Sequence, residues 1–205
     1  MGWLAIDPGT KMAWAFYNKG DAAVQFGTWS LGKTNASKGD RYFSFMKKLI
    51  EFYNDHEVSG IAIEEPAYSR NNSGSSRSMS EAWIPILTMF CSMKGLPEPA
   101  IVASTSWRKS FIGYGQLSKE TKAKLVRSTK TKTYDAHRKH WKSLAIERCR
   151  ERGNDPQNDD EADAIGILYW AHNGGHDVKK QAMAMKRLKS LEKRRQTMMD
   201  LSAPE

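Results

Sequence analysis

Four acids crowd into "NDDEADAIGILYW", residues 158–170, just where an apolar stretch begins. On a helix, Asp160 and Asp163 lie three residues apart and share a face, as do Ala164 and Ile167. Asp159 and Asp163 share one at four-residue spacing. One such face can rest on a sheet while its first turn aims carboxylates at a strand end. Taken alone, the acids are better explained as helix capping, because Asp and Glu in a first turn complement the dipole and satisfy free N–H groups.

Two further acids sit where strands should end. Asp7 closes an apolar run and opens an Asp-Pro-Gly turn, which by itself is ordinary turn chemistry. Glu64 follows Ile61-Ala62-Ile63, and a carboxylate is out of place at the end of a buried strand. Several carboxylates buried together raise the free energy of their ionised forms, so such a cluster is tolerable mainly when cations neutralise it. Oxygen donors with no neighbouring Cys/His set favour Mg²⁺, with Mn²⁺ as a substitute, over Zn²⁺. Two such ions about 3.5 to 4 Å apart can activate a water and stabilise the leaving oxygen of a phosphodiester.

The elements that must position these acids follow from periodicity. Residues 3–6, 12–17 and 25–31 read as three strands, and Phe43, Phe45, Met46, Leu49, Ile50 and Tyr53 recur at helical spacing within 41–56. Residues 61–64 form a fourth strand that can return parallel beside the first, bringing Asp7 and Glu64 together. Residues 69–80, small, polar and basic, read as a flexible loop, followed by an apolar helix over 81–94 and a fifth strand over 100–103. The Lys/Thr-rich stretch 118–142 has no clear periodicity. Helical spacing resumes over 141–152, and a last core helix is expected over 159–171.

With 205 residues and no Pro/Gly-rich linker, the chain is expected to form one domain over 1–174, with a basic insertion around 113–140 and a basic helical tail over 175–205. Two distant cysteines, Cys91 and Cys149, support neither a disulfide framework nor a zinc ribbon and suit a reducing cytoplasm. No signal-like or membrane-spanning run is present in the sequence. The formal charge is +9 and unevenly placed: fourteen Lys/Arg against four Asp/Glu over 105–152, then five acids and no Lys/Arg over 153–170. That pattern suits an electropositive surface for a polyanion around a negative pocket. Candidate phosphate contacts are Arg70, Arg77, Arg108, Lys109, Lys119, Lys122, Lys124, Lys130 and Lys132, with Tyr68 a candidate for stacking on a base.

In order and spacing, "LAIDPGTKMAWAFY", "IAIEEPAYSR" and "DDEADAIGIL" resemble the RuvC family of Holliday-junction resolvases, within the retroviral-integrase or RNase H-like superfamily. The resemblance covers about residues 3–172. It implies an α/β fold: a mixed five-stranded sheet, three strands antiparallel and two parallel, flanked by helices. It implies two Mg²⁺ ions held by Asp7, Glu64, Asp160 and Asp163, and a homodimer nicking opposed strands of a four-way DNA junction to leave 5′-phosphate and 3′-hydroxyl ends. Glu65 replaces Glu64 if the strand register shifts by one, and Asp159 and Glu161 are the poorer matches, suited to capping or solvent. The family's lysine near the active site matches Lys142, with Lys139 the competitor. The family's junction-probing aromatic, three positions after the glutamate, is Ala67 here, with Tyr68 one residue on. The tail and expanded loops are closer to a bacteriophage or prophage member, acting in a bacterial or phage-infected cytoplasm. Three alternatives stand beside this reading. They are an RNase H-fold nuclease for other branched DNA or for RNA, resembling the YqgF type, a non-catalytic DNA-binding module, and, from "DPGT" alone, an actin/hexokinase-like ATPase.

Overall fold

Alternation of side chains along β1 (Gly2–Asp7) and β2 (Met12–Asn18) sorts small residues from large ones. Ala5, Ala13 and Ala15 face one side, while Leu4, Ile6, Met12 and Phe16 face the other. The same division continues in β4 (Val58–Glu64), with Ala62 on the small side and Ile61 and Ile63 on the large side. With β3 (Gln25–Trp29) and β5 (Ala100–Val102), these strands form one sheet in the order β3-β2-β1-β4-β5. The β1/β2 and β2/β3 pairs are antiparallel, and β1/β4 and β4/β5 are parallel. The computed structural model describes residues 2–9, 11–33, 35–65, 74–129 and 133–175, and the side chains of these except 74–81, 129, 133 and 134.

The large-residue face is covered by α1 (Lys38–Asp55) and α2 (Gly74–Lys94), which bury Phe45, Leu49, Phe52, Trp83, Leu87 and Phe90 against it. A capping box starts α1, with the Ser37 hydroxyl accepting from the Asp40 N–H at 3.1 Å and the Asp40 carboxylate accepting from the Ser37 N–H at 3.2 Å. The alanine face receives α6 (Asp159–His172). Outside α6 lie α3 (Ser104–Phe111) and α5 (Thr133–Glu151), with α4 (Lys119–Thr129) packed on α5. This explains why α6 is apolar on nearly every side: the sheet lies below it and two helices above.

The strand expectations hold to within two residues at each end, except that β4 begins three residues earlier, at Val58. The helices extend beyond the sequence reading. The helix expected over 81–94 begins at Gly74, inside the stretch read as a loop. Weak local propensity is readily overridden by tertiary context. Residues 104–111, unassigned from periodicity, form α3. Of the Lys/Thr-rich stretch, 119–129 is α4, begun by the Ser118 hydroxyl accepting from the Thr121 N–H at 3.1 Å. The helix expected from 141 already starts at Thr133. The tail expectation for residues beyond 175 lies outside the described residues.

Close packing between layers depends on Gly166. A Cβ there would come within 2.6 Å of the buried Trp107 ring on α3, so α6 and α3 touch almost backbone to ring. Gly166→Ala is expected to destabilise the protein by about 1–3 kcal/mol through overpacking, although alanine is the better helix former. At about 2–4 °C per kcal/mol for a chain this long, thermal melting resolves the change. An unchanged or raised Tm contradicts this account of the α3–α6 contact.

Candidate metal and nucleic-acid site

Asp7 and Glu64 end neighbouring parallel strands, one step beyond the Ile6–Ile63 pair. By alternation from Ala5 and Ala62, both project from the alanine face, beneath α6. Glu65 is exposed, and its N–H donates to the Val102 carbonyl at 2.7 Å. Register therefore assigns Glu64, and not Glu65, to the face that carries Asp7.

The Asn158 side chain caps α6, accepting from the Glu161 N–H at 2.9 Å. The first turn then supplies Asp160 and, one short turn later, Asp163. Burial pushes the Asp7 carboxyl well above the usual carboxylate range, and repulsion from Glu64, Asp163 and Asp160 adds to it, as does a hydrogen bond with Glu64. Asp163 is pushed up to about 7, first by burial and then by Glu64, with Asp160 adding to the rise and Arg108 and Lys142 opposing it. These mutual effects bring together the four acids singled out in the sequence.

Among the described residues, no three His, Cys, Asp or Glu side chains already close into a metal-binding group. The donor set nevertheless fits Mg²⁺ or Mn²⁺: it consists of carboxylate oxygens from three elements, and a divalent cation offsets the burial and mutual repulsion that raise Asp7 and Asp163.

The flanking residues divide clearly. Lys142 pairs with Asp159 and also acts on Asp163, whereas Lys139 is exposed on α5. Asp159 thus pairs with a lysine on α5. Glu161, expected to cap or face solvent, does cap the start of α6, with Oε2 accepting from the Gln157 N–H at 2.8 Å, but it is buried at 6% exposure, with Oε1 accepting from the Thr28 hydroxyl at 3.2 Å. Arg108 stands over the Trp141 ring at 5.2 Å, within electrostatic reach of Asp163, and its buried Nε has no hydrogen-bond partner among the described residues. Lys109, Lys119, Lys122 and Lys124 are exposed, and Lys124 pairs with Glu120 at 2.8 Å. Tyr68, Arg70, Lys130 and Lys132 lie outside the described residues, as does the side chain of Arg77.

One contributor escaped the sequence reading. The Ser104 hydroxyl donates to the Glu64 carboxylate from the start of α3. The signal available for it was "STS" directly after a parallel strand, since hydroxyl residues favour helix starts and ligands gather at the carboxyl ends of parallel strands.

No protein-family model and no curated protein matches the sequence. The fold does match solved structures. RuvC from Thermus thermophilus superposes with a TM-score of 0.55 at 16% identity, covering 85% of this chain and 97% of that one. The T. thermophilus RuvC in complex with a Holliday junction substrate gives 0.54 at 16% identity, covering 85% and 96%. No helix among the described residues is long and apolar enough to cross a membrane. The chain therefore has a RuvC-like α/β fold, with a mixed five-stranded sheet flanked by helices.

Proposed function

We propose that this protein is a divalent-metal-dependent endonuclease that resolves four-way DNA junctions by paired, symmetric nicks, working as a homodimer. The observation that carries this reading is the convergence of Asp7, Glu64, Asp160 and Asp163, where burial and then mutual repulsion raise Asp7 and Asp163 above the usual carboxylate range. A protein with no use for these charges would be better served by neutral side chains there. The likeness in fold to RuvC, one structure of which holds a Holliday junction substrate, supports the same reading.

Asp7, Glu64, Asp160 and Asp163 would hold two Mg²⁺ ions, with Mn²⁺ able to replace them. Bound there, the ions supply water activation and stabilisation of the leaving oxygen. The chain's own contribution is positioning and charge. Arg108 has an unpartnered donor beside the acids, suited to a phosphate oxygen of the substrate. The Lys142 ammonium pairs with Asp159 and acts on Asp163, offsetting carboxylate charge as an anionic backbone approaches. The exposed lysines of α3 and α4 extend positive charge outward for further phosphates.

The test is single-turnover cleavage of four-way, Y-shaped and linear DNA and of RNA, with nick positions mapped, for the parent and Asp160→Asn. Symmetric Mg²⁺-dependent nicks in the four-way substrate that vanish in the variant are expected. Cleavage confined to Y-shaped DNA or RNA reassigns the substrate, and identical behaviour of both proteins removes the site from the reaction. Cross-linking and light scattering test the dimer.

The basic surface makes a separate prediction. If Lys109, Lys119 and Lys122 each neutralise one phosphate, replacing all three with alanine flattens the plot of log affinity against log salt by about 0.9 per contact. The total is close to three. An unchanged slope means these lysines do not touch DNA.

A further inference from the structure

Glu161 has no part in the proposed metal site. Yet its side chain is left only 6% exposed. Burying a carboxylate beside other carboxylates is costly, and a neutral residue would fill the space without that cost. Its partners suggest what offsets the cost. One oxygen takes the Gln157 N–H at 2.8 Å, the other takes the Thr28 hydroxyl at 3.2 Å, and its own N–H donates to Asn158 at 2.9 Å.

Strand register shows where this anchor sits. Thr28 pairs with Ala13, and Ala13 pairs with Asp7, so Thr28, Ala13 and Asp7 form one row across three strands. At about 4.8 Å between strands, the anchor lies about 10 Å from Asp7 along that row. Ala13, completely buried, leaves room for the first turn of α6 to rest on the sheet between them. The same turn is therefore tied down at Thr28 and presents Asp160 and Asp163 toward Asp7 and Glu64. Rotation or sliding of α6 would shift both acids, and metal ligation tolerates errors of only about 0.2 Å.

We propose that Glu161 is a positioning residue, whose buried carboxylate locks the first turn of α6 to the edge strand β3 and so sets Asp160 and Asp163 in register with Asp7 for a divalent cation. This rests on the metal-site reading above, and its test uses metal binding as well as cleavage.

Mn²⁺ binding to the full chain is measured by calorimetry, with four-way junction nicking in parallel, for the parent, Glu161→Ala, Glu161→Gln, Thr28→Val and Leu49→Ala. Glu161→Ala is expected to weaken Mn²⁺ binding at least tenfold and to lower kcat with KM for the junction within twofold. Thr28→Val, at an exposed edge position, keeps the fold and weakens Mn²⁺ severalfold. Glu161→Gln falls between parent and Glu161→Ala, because the amide keeps one acceptor of two. Leu49→Ala, in the core of the opposite face, lowers Tm and leaves Mn²⁺ affinity unchanged. Mn²⁺ affinity unchanged in Thr28→Val and in whichever Glu161 variants fold overturns the proposal and leaves Glu161 a structural residue only. A parent that binds Mn²⁺ but cleaves no nucleic acid ends the nuclease reading, and Glu161 is then judged on Mn²⁺ binding alone. A parent that binds no Mn²⁺ ends both.

Discussion

Asp7→Asn protein is expected to bind a four-way junction at least as tightly as the parent, to nick it about 10³-fold more slowly, and to melt at a higher temperature in EDTA. The loss of rate follows from removing a carboxylate that would hold catalytic metal, worth several kcal/mol of transition-state stabilisation, at about 1.4 kcal/mol per tenfold. Binding survives because the exposed lysines proposed to contact phosphates lie away from Asp7, on α3 and α4. The gain in stability follows from the position of Asp7, where burial and three neighbouring acids already oppose ionisation. An amide takes up the same space without the charge. Lower activity with higher stability is what separates a functional site from a structural one, because loss of a purely structural carboxylate lowers stability. Single-turnover nicking, gel-shift titration and thermal melting of the same preparation decide the matter. A less stable Asp7→Asn protein that still cleaves contradicts both parts.

The second large effect links pH, metal and stability through Asp163. Its carboxyl is pushed from 3.8 to about 7 in the fold. Between those values the unfolded chain has released the proton and the native protein still holds it, so native protein binds more protons and stability falls as pH rises. Below pH 4 this penalty is absent, and above about 7 it is fully present. At about 1.4 kcal/mol per unit, it amounts to a few kcal/mol. In EDTA, the parent's Tm is expected to fall between pH 5 and pH 8 by more than that of Asp163→Asn, which lacks the titrating group. Added Mg²⁺ binds the ionised carboxylates, so it restores Tm strongly at pH 8 and weakly at pH 5. At a concentration 100 times its dissociation constant the stabilisation is about 2.7 kcal/mol. Equal protection at both pH values, or parallel curves for parent and Asp163→Asn, argues against a cation relieving this cluster.

Much of the site was readable from local spacing. The apolar run ending at Asp7, the run ending at Glu64 and the three-residue step from Asp160 to Asp163 are patterns of period 2 and period 3.6, which a chain carries wherever it folds. Those periods also identify the five strands and the last helix, and the order of elements brings β4 back beside β1. Uneven charge marks α3, α4 and α5 as the basic side.

Other assignments depended on contacts between residues far apart in the chain. Glu64 and Glu65 are equivalent until the register against β1 and β5 chooses between them, because one residue of slip reverses every side chain. Lys142 and Lys139 differ in place because α5 packs on α6 and sets one of them against Asp159. Ser104 and Arg108 reach the acids only because α3 lies across α6 at Gly166. Glu161 shows the difference most clearly. In sequence it is one more acid at a helix start, and its position there is legible from Asn158 three residues before it. Its burial is not, since that requires Thr28, 133 residues away in the chain, to arrive on the same row as Asp7. Periodicity specifies which side chains share a face. Only the packed sheet and helices decide which faces meet, because that choice is set by long-range register and volume, which short stretches of sequence do not encode.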